Sequence, residues 1–413
     1  MGTYSLADKF ATRLMPGFRE RMRRPRFLTA MAVGAVICNE YDEEQLAADE
    51  ISPPYQVYEW HVVQALVKQF RGMPEIIGLP GSDKAYRALN QNLRLNASRY
   101  LKTASVFGFH GVYRTLASEL DIIDNGRLGE GGDKLIRAWE KDQNLPGFYE
   151  KRDGAGRNFK DLLGWAVKEG MNKGEVVRAW SWGHFTTIAE NLVPSKIGVQ
   201  EGKVLYDLIV NNHRGYRNIV IPALIEYLRL NPDTSEIDES SFYQILLKNS
   251  DGDLYHLLDS IIAYEAFSRT ITNGFEEILF YLSQNRREVD IREFLDLQWV
   301  IDGSVVIAKQ YKTCLDSFTE TMDQLSFQKN FEEFEYISDP MHFTELLIAH
   351  HQKIQKNKPP SGKLDWIAQT GNGKWLIRTN YSRSQNLVKP ANTFVHFYRT
   401  NSLRSFLKDL KKL

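Results

Sequence analysis

Apolar residues recur through most of the chain at i, i+3 and i+4, the spacing of one helical face. Val57, Trp60, Val63, Leu66, Val67 and Phe70 mark one such helix after the punctuation of Pro53-Pro54. The longest stripe runs from Leu254, Leu257, Leu258 and Ile261 through Phe267, Ile271 and Phe275 to Leu282. It predicts a packed bundle helix or helix pair, with a break expected at Thr272-Asn273-Gly274. Shorter helices are expected over 159–168, 173–179, 184–191, 200–211, 219–230 and 241–248. The best-punctuated stretch is Leu93 to Gln143. Leu95, Tyr100, Leu101 and Ala104 predict a helix, Gly108 a tight turn, and Val112, Leu116, Ala117 and Leu120 a second helix. Ile122 and Ile123 then begin a strand, Asp124-Asn125-Gly126 turns the chain, and Leu128 returns. Asp133 caps a third helix carrying Leu135, Ile136 and Trp139.

Helix, turn, helix, hairpin, helix is the order of a winged helix-turn-helix. The expected fold class is therefore mainly α, with an N-terminal winged helix-turn-helix domain, a central helical bundle and a small α+β basic C-terminal module. The expected segments are 1–52 (a basic arm and an apolar helix), 53–149 (the winged helix), a glycine-rich charged linker from Glu150 to Arg157, 158–310 (helical) and 311–413. In the last, Trp366–Gln369 and Lys374–Thr379 flank the turn Thr370-Gly371-Asn372-Gly373. Thr393–Tyr398 is expected as a third strand and Ser402–Leu410 as a closing helix.

Composition adds compartment and charge. A chain of 413 residues, 43% hydrophobic and 25% charged, is ordinary for a folded protein. Cys38 and Cys314 are the only cysteines, which predicts a reducing, cytoplasmic setting and no disulfide framework. The apolar run Thr29–Cys38 is too short to span a bilayer, so no membrane association is expected. Lysine plus arginine equals aspartate plus glutamate at 52 each, so any affinity for nucleic acid must come from segregated charge. Segregation is present. Arg13, Arg19, Arg21, Arg23, Arg24 and Arg26 are opposed only by Glu20, and a phosphate-tracking arm competes there with one that salt-bridges Asp42 to Glu50 downstream. An acidic block from Asp316 to Glu345 is answered only by Lys329, and the end from Lys353 to Lys412 is strongly basic with interleaved aromatics. That end suits a nucleic-acid surface, or else it neutralises the acidic block within the molecule.

The second helix of a winged helix lies in the major groove, which gives the expected contacts. His110, Tyr113, Arg114, Thr115 and Ser118 form its solvent face, with Arg114 as the base or phosphate donor, while Arg99, Lys102 and the hairpin residue Arg127 meet backbone. Arg21, Arg23 and Arg24 on the arm join them, with Lys358, Lys363, Arg378, Arg383, Arg399 and Arg404 on the basic end. The cluster His213, Arg214, Tyr216 and Arg217 is a weaker phosphate site, with a solvated loop the more ordinary reading. Glu119, Asp121, Asp124 and Glu130 dilute the positive charge.

Catalytic constellations fall short. Gly126–Lys134 lacks the Gly-Lys-Ser/Thr ending of a P-loop, and no paired-cysteine zinc motif, His-Glu-x-x-His or Gly-x-Ser-x-Gly occurs. The enzymatic alternative is a phosphodiesterase or nuclease using His350, His351 and Lys353, although a phospholipase-D-type signature fails because Lys358 stands where it needs an aspartate. No cofactor and no metal are expected.

Residues Leu93–Gln143 resemble winged-helix DNA-binding domains in topology. Arg24-Pro25-Arg26-Phe27-Leu28-Thr29-Ala30-Met31-Ala32-Val33-Gly34-Ala35 and Phe107-Gly108-Phe109-His110-Gly111-Val112-Tyr113-Arg114 resemble uncharacterised proteins of bacterial anti-phage defence operons. The resemblance implies a bacterial cytoplasmic protein acting on foreign DNA beside a helicase, ATPase or nuclease, and the expected role is a non-catalytic DNA-binding recognition or scaffold subunit on double-stranded DNA. A protein-only adaptor is the third alternative.

Overall fold

The computed structural model describes the chain apart from residues 43, 151–152, 212–213 and 233–236. Its helices are α1 (Tyr4–Leu14), α2 (Arg26–Cys38), α3 (Pro54–Phe70), α4 (Ser82–Asn90), α5 (Ala104–Phe107), α6 (Phe109–Glu119), α7 (Glu130–Asp142), α8 (Ala155–Lys173) and α9 (His184–Leu192). They continue as α10 (Val199–Val210), α11 (Arg217–Leu230), α12 (Glu239–Lys248), α13 (Gly252–Asn285), α14 (Gln298–Ser317), α15 (Thr321–Phe331), α16 (Pro340–Lys356) and α17 (Thr400–Asp409). Two antiparallel hairpins accompany them, with short 3-10 turns between helices. In one, β1 (Ile123–Asp124) pairs with β2 (Arg127–Leu128); in the other, β3 (Ile367–Gln369) pairs with β4 (Trp375–Ile377), with Ile367 opposite Ile377. The chain is mainly helical, as the periodicity predicts.

The chain forms two compact units, and they are not the consecutive segments expected. Unit I is Met1–Leu14 with Asp233–Tyr398; unit II is Met15–Pro232 with Arg399–Leu413. Amphipathic ends explain the exchange. In α1, Leu6, Phe10 and Leu14 are buried, and Phe10 packs on Tyr264 of α13 and on Phe318. In α17, Leu403, Phe406 and Leu407 are buried, with Phe406 against Phe18 and Tyr113.

Unit II is built around α2 and α3. Both are buried on nearly every face, α2 with an almost wholly apolar surface and α3 with Glu59, His61 and Gln64 buried among its apolar residues. A buried ion pair lies among these apolar faces. Arg26 donates to Glu201 at 3.0 Å and to the carbonyls of Val193 and Asn191, while Thr29 donates to the same Glu201 oxygen at 2.7 Å. The helix expected around Leu95–Ala104 is instead a run of turns. The Asn96 side chain accepts from Ser98 and from the Arg99 amide, and Leu95 binds back to Val176, so local side-chain bonds outcompete the helix and leave only the single turn α5. The helix expected over 173–179 is likewise absent, because Gly174 adopts φ +67° and closes α8.

Unit I is organised on α13, whose 34 residues run about 50 Å without a break. Gly274 is a packing notch instead of the expected interruption. A Cβ there would stand 2.9 Å from Leu347 Cδ1 of α16, so glycine is what lets that helix approach. The third C-terminal strand is not formed either, since Glu265 of α13 accepts the amides of Val395 and His396 and takes that backbone out of any ladder.

Candidate nucleic-acid interface

α6 begins at Gly108, which has no side chain to cap the exposed amides, and the cap comes from α3. Glu59 accepts Phe109 N at 3.1 Å and His110 N at 3.0 Å on its two oxygens, and the Tyr100 hydroxyl at 2.6 Å. Burial pushes the Glu59 carboxyl up to about 7 in spite of these three hydrogen bonds. A side chain at residue 108 would collide with Glu59 Oε1, so the glycine and the carboxylate form one device. Glu59 is not among the residues expected from the sequence to matter here. A glutamate between Tyr58 and Trp60 on a helix with a strong apolar stripe, together with a helix start at a glycine that offers no side-chain cap, is the signal that marks it.

The sides of α6 follow from its packing. Phe109, Val112, Tyr113, Leu116 and Ala117 are buried, leaving Arg114, Thr115 and Ser118 exposed. Tyr113 is therefore corrected from the expected solvent face to the core. Its hydroxyl accepts the amides of Arg23 and Arg24, and its ring stacks on Phe406, so it cannot meet a ligand. His110 is half-buried and lies flat on Tyr55 with ring centroids 4.0 Å apart. Burial, and then the nearby Arg114 charge, bring the His110 imidazole down to about 4, so it is neutral at physiological pH.

Beside α6 opens a cavity of about 1170 Å³ lined by residues of α2 and the loop after it, α3, α4 and the turns after it, α5 and α6. It brings together the expected contacts Lys102, His110 and Arg114, and adds Lys84, Tyr41 and Tyr55, which the sequence reading did not single out for binding. Lys84, Lys102 and Arg114 are exposed, and none has an ion pair among the described residues. Asp42 and Asp49 also line it, so among the described residues three cations face two carboxylates; Asp49 is occupied with Ser52 and the Ile51 amide. The Tyr41 hydroxyl is buried with no hydrogen-bond partner among the described residues.

The remaining expected contacts separate into two groups. Arg127 is exposed on the β1–β2 turn side, and Arg21 and Arg23 are exposed, with Arg21 lying over the Phe107 ring at 4.7 Å. The rest of the arginine arm is tied down. Arg24 pairs with Asp409 at 2.6 Å and donates to the carbonyls of Pro74 and Ile77; Arg26 is buried; Arg13 pairs with Asp323; Arg19 donates to Thr115 at 3.0 Å. Arg99 faces Glu175 at 3.6 Å. Arg217, grouped above with a phosphate-contact loop, is buried and donates to Pro16 O at 2.8 Å, while Arg214 faces Glu119; His213 lies outside the described residues.

The basic end is divided between the units. In unit I, Lys363 is exposed and Lys358 half-buried, Arg378 donates to Asp365 O, and Arg383 grips Glu276 through two bonds at 2.7 and 3.0 Å. In unit II, Arg399 is buried against Glu20 at 3.4 Å and Arg404 is half-buried on α17. Arg24, Arg383 and Arg399 are thus corrected from phosphate contacts to internal ion pairs.

The alternative catalytic pair is packed away. His350 Nε2 bonds Met1 O at 2.7 Å; His351 Nε2 accepts the Trp366 amide at 3.2 Å, and its ring stacks on Phe275 at 4.4 Å. Burial brings them down to about 4 and about 3, so both are neutral, with Lys353 exposed beside them. Unit I also holds a carboxylate–imidazole–hydroxyl chain that nothing in the sequence announces. Glu265 accepts His396 Nδ1 and the Tyr398 hydroxyl, each at 2.6 Å, and His396 Nε2 lies 3.0 Å from Thr3 Oγ1. Thr3 is 6% and His396 8% exposed, so the chain is sealed and clasps α1 to α13.

No family model, curated protein or solved structure matches the chain. Among the described residues, no group of three side chains has metal-binding geometry, and no helix is long and apolar enough to cross a membrane.

Proposed function

We propose that unit II is a nucleic-acid-binding module that engages double-stranded DNA with the exposed side of α6, as a non-catalytic recognition or scaffold subunit. One observation carries the reading. Arg114 projects from α6 beside Lys102 and Lys84, and none of the three is neutralised by an ion pair among the described residues, whereas Arg24 and Arg26 are. The order α5, α6, β1–β2 and α7 supports a winged-helix mode of docking, with Arg127 on the hairpin as a backbone contact. The likeness of 24–35 and 107–114 to defence-operon proteins supports a place in a bacterial anti-phage complex with further subunits. Those two segments also pack together, Phe27 stacking on Phe109 at 5.4 Å.

Fluorescence anisotropy with a labelled duplex at two salt concentrations tests the reading. Affinity is expected to fall steeply with salt, and Arg114→Ala to weaken binding about tenfold and reduce the salt slope by about one. A curve unchanged by that substitution removes α6 from the interface. The nuclease alternative is disfavoured by His351, whose free nitrogen is already occupied by the Trp366 amide.

A further inference from the structure

We infer that the cavity beside α6 takes one nucleoside monophosphate unit, its phosphate met by Lys84, Lys102 and Arg114 and its base by the Tyr55–His110 pair. This rests on the nucleic-acid reading and names the chemistry of its site. The volume of about 1170 Å³ exceeds the roughly 300–1,000 Å³ usual for small-ligand sites, so a nucleotide fits with its hydration. The two ends of such a ligand have matching walls. Three exposed cations border the opening, and guanidinium and ammonium groups are the ordinary phosphate ligands.

The aromatic wall is preformed. Tyr55 and His110 are stacked at 4.0 Å and 18°, and both line the cavity, which provides the kind of platform on which a base of any identity stacks. The Tyr41 hydroxyl on the cavity wall has no partner among the described residues, and a buried polar group of that kind needs one. A free nucleotide and a base extruded from a strand present the same unit to this site. Extrusion delivers a base and its phosphate together, and enzymes and readers of single bases use pockets in this way.

The test uses the full chain and isothermal titration with dAMP, deoxyadenosine and inorganic phosphate. Binding of dAMP at least tenfold tighter than either fragment is expected, since base and phosphate must both contribute. Equal binding of phosphate and dAMP overturns the nucleotide assignment. Tyr55→Ala and Lys102→Ala are each expected to weaken dAMP at least fivefold. Ser105→Trp, an exposed position on the wall, is expected to block dAMP with an unchanged melting temperature; full dAMP binding by that variant overturns the cavity as the site.

A duplex carrying 2-aminopurine separates the two sources. A rise in its emission on binding, lost in Ser105→Trp, assigns the cavity to an extruded base; no rise with dAMP still bound assigns it to free nucleotide. Duplex binding that persists while dAMP fails to bind overturns the cavity inference and spares the DNA reading. Binding of dAMP without duplex binding does the reverse.

Discussion

Two sets of cations in unit II carry similar formal charge and have opposite fates. Arg24 and Arg26 lie in the densest basic run of the chain, yet the first is held by Asp409 and two carbonyls and the second is buried against Glu201. Lys84, Lys102 and Arg114 are scattered through the sequence and converge on one cavity with no ion pair among the described residues. Density of charge along a chain therefore says little about density of charge on a surface. What decides is whether a carboxylate or carbonyl is within reach after folding.

The sharpest way to test that difference is to remove a cation of the first kind. Arg26→Ala leaves Glu201 and the carbonyls of Val193 and Asn191 without their buried donor. Stranding one partner of such a pair costs about 3–5 kcal/mol, so urea unfolding should show a loss of that size. A loss below about 1 kcal/mol would mean water reaches Glu201 and the pair is not a core element.

The cap of α6 gives the next largest effect, and its sign follows from the direction of the shift. Glu59 titrates near 7 in the folded chain against an ordinary value of 4.5, so between those limits the native state holds the proton more tightly. Its contribution to stability is greatest below pH 4.5 and declines by about 3 kcal/mol as pH rises to 7. His61 and His110, both brought down to about 4 by burial, act in the opposite sense over much of that range. The readout is therefore the difference between wild type and Glu59→Gln, which should move in the variant's favour by about 3 kcal/mol from pH 4.5 to 7. A flat difference would show that Glu59 titrates normally.

Arg24→Ala and Arg114→Ala set the two sets of cations directly against each other. Arg24 is part-buried and bonded to a carboxylate, so its loss should cost about 1–2 kcal/mol of stability and leave duplex affinity of the folded protein unchanged. Arg114→Ala should reverse the pattern, with no measurable change in stability and about a tenfold loss in affinity. The same result from both variants would erase the distinction.

How much of this was legible depends on the range of the interactions involved. α6, the β1–β2 hairpin, α7, α13 and the β3–β4 turn were readable because period and turn chemistry are local, and Asn125-Gly126 and Gly371-Asn372-Gly373 carry their own geometry. Arg114 and Lys102 were readable as exposed cations near a helix. Tyr113 was misplaced because a tyrosine on a helix reads as amphipathic until the amides of Arg23 and Arg24 claim its hydroxyl. The pairing of Arg383 with Glu276, 107 residues away, and of Arg24 with Asp409, 385 away, has no local signature, so the charge of the arm and of the basic end was overestimated. The exchange of α1 and α17 between units was hidden for the same reason.

Arg21 stands between the two classes and yields the smallest effect. It belongs to the basic run, but its only described partner is the ring of Phe107, at 4.7 Å, and its side chain remains exposed. An exposed cation–π contact contributes about 0.5–1 kcal/mol, so Arg21→Ala should lower stability by no more than that. Phe107 immediately precedes the glycine that opens α6, so the same guanidinium stands close to the N-terminal end of that helix. Duplex affinity should fall about twofold, with the salt slope nearly unchanged, because a guanidinium stacked on a ring makes only a glancing phosphate contact. A tenfold loss would instead extend the interface from the cavity onto the arm, where Arg21 and Arg23 are exposed members of the run.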